Sequence, residues 1–228
     1  GVEVPLVIDT TEPDVMEVAL QTAPGRCLIN SIHLDAGRAK ADKIFTLAKK
    51  YNAAVLCLTI DEQGMAKTAS RKLEVARCIC DIAVNEHGLR PGDLVVDALT
   101  FTLATGDVEF SESAIETLDG IRQIKTALPG VLCSLGVSNL SFGLAASARP
   151  PLNSVMLYHA VQAGLDMAIV NPQHVTPYAD IPTEERELAE NLIFNRRVDA
   201  LQRYIEHFEA AGSDAQSLAP LQADPTAG

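Results

Sequence analysis

Ala54-Val55-Leu56-Cys57-Leu58-Thr59-Ile60-Asp61 and Leu94-Val95-Val96-Asp97 are the stretches that decide the fold. Neither alternates apolar with polar residues, as a strand with one wet face does. A short unbroken apolar run is the mark of a strand covered on both faces, the condition of a parallel sheet packed beneath helices. Working outward, Pro5–Asp9 (PLVID), Cys27–Ser31 (CLINS), Val131–Asn139 (VLCSLGVSN) and Met167–Asn171 (MAIVN) read the same way, giving six runs in all. Between them the apolar spacing turns helical: Ile44, Leu47, Ala48 and Tyr51 form one stripe. Leu73, Ala76, Cys80, Ala83 and Val84 form a second, and Ile115, Leu118, Ile121, Ile124 and Leu128 a third. Gly88 and Pro129-Gly130 stop the second and third stripes. Strand and helix in regular alternation predict an α/β fold of the TIM-type (β/α)8 barrel kind.

Composition agrees and narrows the function. The 228 residues are 47% hydrophobic but only 4% aromatic, the balance of a barrel filled by Val, Ile, Leu and Ala. A formal net charge of −12 repels phosphate backbones and anionic lipid, which argues against nucleic acid and membrane as partners. There is no long apolar span. The five cysteines are odd in number; Cys78 and Cys80 point in different directions on a helical pattern, and the set reads as small hydrophobes in a reducing, cytoplasmic compartment. The first residue is Gly and strand pattern begins almost at once, the expectation for a piece of a longer protein.

The residues that end the runs carry the chemistry. Asp9, Asn30, Asp61, Asp97, Asn139 and Asn171 stand at or beside the six termini. In a parallel barrel those positions converge on the mouth where ligands bind. No Lys or Arg shares these slots, and a phosphate would call for one. Short carboxylates and carboxamides suit an uncharged flat heterocycle with N–H donors and a carbonyl, such as an aminopyrimidinone. The competing reading is that Asp and Asn merely cap turns there.

Asp9-Thr10-Thr11, Ile29-Asn30-Ser31-Ile32, Ile60-Asp61-Glu62-Gln63-Gly64-Met65-Ala66, Thr105-Gly106, Gly136-Val137-Ser138-Asn139-Leu140-Ser141-Phe142 and Met167-Ala168-Ile169-Val170-Asn171 follow one another in the order seen in pterin-binding methyltransferases. From about Pro5 to Arg197 the chain resembles that family, and within it the methyltetrahydrofolate-binding domain of cobalamin-dependent methionine synthases. The resemblance implies methyl transfer from 5-methyltetrahydrofolate to cob(I)alamin in methionine biosynthesis. It places pterin anchors on Asp9, Asn30 and Asp97 and the residue beside the reactive N5 on Asn139, the catalytic candidate. Asp61 and Asn171 complete the predicted pterin-binding set. It also implies a barrel of the dihydropteroate-synthase-like kind in which this chain lacks the first two strands.

Cobalamin is expected on another domain of the same longer chain, because Ile32-His33-Leu34-Asp35-Ala36-Gly37 holds the residue types of a corrinoid signature in the wrong order. Residues 1–181 are thus expected to form the partial barrel, 182–210 exit helices, and 211–228 a flexible linker. Two departures stand out: Ala98-Leu99 follows Asp97 where the family has Pro-Asn, and Gly143-Leu144-Ala145 replaces Arg-Gly-Asn. The alternatives are a stand-alone corrinoid-protein methyltransferase, a dihydropteroate-synthase-like enzyme, and a non-catalytic folate-binding module. The second would place a basic pair where Ser138-Asn139 stands.

Overall fold

A computed structural model describes residues 3–217, with side chains as far as residue 210. In chain order come β1 (Val7–Asp9), α1 (Pro13–Thr22), β2 (Leu28–Ile32), α2 (Ala39–Tyr51), β3 (Ala54–Leu58) and a small hairpin, β4 (Ile60–Asp61) with β5 (Gly64–Met65). There follow α3 (Ala69–Asp81), β6 (Leu94–Asp97), α4 (Ser113–Ala127), β7 (Leu132–Gly136), α5 (Arg149–Ala163), β8 (Met167–Ile169), α6 (Thr183–Ile193) and α7 (Ala200–Ser217). One six-stranded sheet runs β1-β2-β3-β6-β7-β8, every pair parallel and each sheet strand beside its predecessor. The unbroken apolar runs thus do form the parallel sheet expected of them.

The pleat sends alternate residues to opposite faces. Ile29, Val55, Cys57, Leu94, Val96, Cys133 and Leu135 belong to one face and are fully buried in the core that the helices share. On the other face Leu56 and Val95, in the central strands, are buried too. Towards the edges that face opens: Val7 on β1 is 54% exposed and Ile169 on β8 is 52% exposed. The sheet is therefore a curled half-barrel whose inner side is covered in the middle and open at both ends.

Three strands stop short of the residues expected to end them. Thr59 turns away from β3 because both its N–H and its Oγ1 donate to the carbonyl of Asp97, at 3.2 and 3.0 Å, and Asp61 falls in the hairpin beyond. After Gly136 the chain tightens into a 3-10 turn over Val137–Ser141, so Asn139 lies beyond the strand. β8 ends at Ile169, and Pro172 begins a second 3-10 turn after Asn171.

The apolar helix stripes hold. Ala76, Cys80 and Ala83 are buried, as are Leu118, Ile121 and Ile124. Of the five free cysteines only Cys78 is exposed. The charged helices at the end fold back: α6 packs on α5 and α7 on α6. Tyr204 of α7 is buried and donates its hydroxyl to the carbonyl of Ala148 at 2.7 Å. α7 continues to Ser217, past Ala210 where the helical pattern was expected to end. From Ala210 onward no proline interrupts the chain before Pro220. The rest of the expected linker, 218–228, lies outside the described residues. Among the described residues no helix is long and apolar enough to cross a membrane.

Candidate functional site

β6 is buried along its whole length and delivers Asp97 at its carboxyl end. Only 6% of Asp97 is exposed, and burial pushes its carboxyl up to about 6. The opposing influences are hydrogen bonds from the backbone N–H groups of Leu99 and Gly136, and the charge of Lys72. The Leu99 N–H lies 2.7 Å from Oδ1. Such donors favour a carboxylate, while the low dielectric opposes it.

Gly136 closes β7 and lets the next turn fold tightly. A Cβ there would lie 3.0 Å from Nδ2 of Asn139, so glycine is what allows the amide to lean back across the strand end. Asn139 itself is exposed. Asp97 and Asn139 line one cavity of about 310 Å³ with Met65, Thr100, Phe101 and Phe142. The last four supply two aromatic rings, a thioether and a hydroxyl. Thr100 Oγ1 is buried with no hydrogen-bond partner among the described residues. A flat ring with polar edges fits walls of this kind, apolar to its faces and polar at its rim.

The other expected residues lie around this cavity rather than in it. Asp9 and Asn30 are direct register partners on neighbouring strands. Asn30 pairs with Leu56 and Leu56 with Val95, so both side chains share a face with Asp97, one layer deeper. Asp61 accepts from the Arg71 guanidinium and, at 3.1 Å, from the N–H of Gln63, so it holds the hairpin turn. Asn171 caps its own 3-10 turn by accepting from the N–H of Gln173 at 3.1 Å. It lines a second cavity of about 260 Å³ with Ser138, Arg149, Asn153 and His174. The turn 137–141 divides the two cavities, with Asn139 on one side and Ser138 on the other.

Several site residues escaped the sequence reading. Thr100 and Phe101 carry no motif. Lys72 does leave a signal, since it stands one turn before Ala76 on the buried face of α3. Its ammonium is fully buried and donates to the carbonyls of Ala66, Ala98 and Leu99, 5.1 Å from the centre of the Phe101 ring. Burial pushes this ammonium down to about 8 against the pull of Asp97 and Glu116.

Two curated relatives match most of the chain. The segment is 40% identical over 230 residues to the methionine synthase of Mycobacterium tuberculosis (strain ATCC 25618 / H37Rv), covering 97% of this chain and 19% of that protein. It is 40% identical over 215 residues to the methionine synthase of Mycobacterium leprae (strain TN), covering 92% of this chain and 18% of that one. The chain therefore spans about a fifth of the length of these curated relatives. The family model described as pterin binding enzyme matches residues 1–171, which include the whole six-stranded sheet and both walls of the Asp97–Asn139 cavity. With 171 of its 228 residues inside that match, the chain belongs to the family of pterin binding enzymes.

Proposed function

We propose that this chain is the folate module of a cobalamin-dependent methionine synthase and presents 5-methyltetrahydrofolate for methyl transfer to cob(I)alamin. The observation that carries the reading is the shared cavity of Asp97 and Asn139 at the carboxyl ends of adjacent strands. Asp97 as a carboxylate accepts N–H bonds from the aminopyrimidinone edge, with Asp9 and Asn30 extending the polar row on the same face. Met65, Phe101 and Phe142 cover the ring faces. Asn139 holds a hydrogen bond at N5, where the amine leaves as the methyl is lost. That bond strengthens as charge develops, a contribution of ~10²-fold or more in comparable sites. An amide donates no proton at neutral pH, so the proton itself arrives through water or a nearby acid. Cobalamin, carried by another domain of the longer protein, supplies the nucleophilic metal that takes the methyl group.

The exposed inner positions Val7 and Ile169 support a (β/α)8 barrel of the dihydropteroate-synthase-like kind, completed by two strands from elsewhere in the longer chain. Arg71, Arg149 and Lys72, the cations around the two cavities, are each committed to protein acceptors. That disfavours pyrophosphate chemistry of the dihydropteroate synthase sort. The test is equilibrium titration of the intact protein with 5-methyltetrahydrofolate, followed by single-turnover methyl transfer. Binding without transfer would leave the non-catalytic folate-binding module as the better reading, and no binding would remove the folate reading altogether.

A further inference from the structure

A lysine is almost never fully buried without a reason. Lys72 has no exposed surface, yet its Nζ forms no hydrogen bond with a carboxylate. All three of its donors go to backbone carbonyls: Ala66 after the hairpin at 3.0 Å, and Ala98 and Leu99 directly after Asp97, the last at 3.3 Å. The same Leu99 carbonyl accepts from Thr117 Oγ1 of α4 at 2.9 Å. Leu99 has a φ of 60°, a conformation that a branched side chain adopts only when its surroundings hold it there. α4 makes room for the lysine stem with Gly120, where a Cβ would stand 2.8 Å from Lys72 Cδ.

We propose that Lys72 is a positioning residue for the pterin site: its buried ammonium clamps the loop after β6 to α3 and holds Asp97 in the carboxylate form that the ligand needs. The inference rests on the pterin reading above. Two further ionisable groups act on this pair. Glu116 of α4 accepts from the N–H of Ala69 and adds to the field on Lys72, and Cys133 of β7 is a neutral thiol that burial has pushed up to about 12. Among the described residues, Lys72 is the cation whose charge opposes the effect of burial at Asp97. Without it, only the Leu99 and Gly136 N–H groups oppose the effect of burial, and a protonated Asp97 offers the ligand one acceptor fewer and a donor in its place.

The experiment uses the intact protein with Lys72→Met, which keeps the length and removes the charge, and Gly120→Ala, which keeps the charge and displaces the stem. Affinity for 5-methyltetrahydrofolate is measured between about pH 5 and pH 8.5, and the Asp97 carboxyl is titrated separately by carbon NMR without ligand. Lys72→Met is expected to move the acid midpoint of both curves upward by about one pH unit, with affinity falling ~5-fold near pH 6, approaching ~10-fold at pH ~5, and changing far less at the alkaline end. Gly120→Ala is expected to weaken binding at every pH with little change in midpoint. A uniform loss in Lys72→Met with an unmoved carboxyl, or wild-type binding in Gly120→Ala, overturns the assignment. If the unaltered protein binds no folate, the pterin reading fails, while the carboxyl titration still decides whether Lys72 governs Asp97. If Lys72→Met does not fold, the Gly120→Ala curves decide the clamp, and the same carboxyl titration in Lys72→Gln decides the effect of the charge.

Discussion

Replacing Asp97 by Asn is expected to stabilise the strand that carries it while destroying the site. The carboxyl sits at about 6 in the folded chain, against ~4 in an unfolded one. Between those values the native state holds the proton more tightly. Stability is therefore fully present below pH ~4 and is lost as pH rises through 6, by ~3 kcal/mol in total. Asn keeps the shape and an oxygen for the Leu99 N–H, and it never ionises. Against this, Lys72 loses its counter-charge, which takes back part of the gain. A net ~1–2 kcal/mol in favour of Asp97→Asn at pH 7.5, vanishing near pH 4, is the expected balance. Hydrogen exchange of the β6 amides reads this locally, which suits a protein whose relatives are several times longer and need not unfold in one step. Greater protection of β6 in the variant at pH 7.5 but not at pH 4.5, together with lost folate affinity, is the predicted pair of results. Lower protection at pH 7.5, or a difference that ignores pH, would refute the view that a buried charge is held here for binding.

Asp97→Ala is expected to lose mainly folate affinity, by ~1–3 kcal/mol, and Asn139→Ala mainly the transfer rate; titration and single-turnover kinetics separate them, and equal losses of both kinds in both variants would sink the division of labour. Tyr204→Phe strands the Ala148 carbonyl and is expected to cost about 1 kcal/mol, seen as faster exchange of α7 with folate binding unchanged. A mild thiol reagent is expected to label Cys78 first, since Cys27, Cys57, Cys80 and Cys133 are buried; mass spectrometry of the labelled peptides tests this, and early labelling of Cys57 would contradict the core described.

The sheet was legible because its strands are apolar on both faces, a pattern that survives without any knowledge of partners. Strand ends were less so. Ala54–Asp61 and Val131–Asn139 read as single runs, yet each breaks: Thr59 bonds to the Asp97 carbonyl, and after Gly136 the chain tightens into a 3-10 turn. Asp97 and Asn139 could be picked from their positions, since strand ends on adjacent units must converge. Asp61 and Asn171 looked equivalent to them, but their bonds to Arg71 and to the Gln173 N–H arise in turns whose geometry no spacing rule predicts. Lys72 was passed over because a lysine beside an apolar stripe usually lies at its margin, and only the tertiary contact with Ala98 and Leu99 distinguishes this one.

The strict succession of neighbours in the sheet bears on how the chain assembles. Each sheet strand pairs with the one made just before it, across a single helix, so closing each contact spans a short length of chain. Loop closure of that kind is fast, and docking can advance one unit at a time as the polypeptide leaves the ribosome. A lesion in α5 would then spare the β1-to-β7 platform already laid down, whereas one in α1 would deprive every later unit of its template.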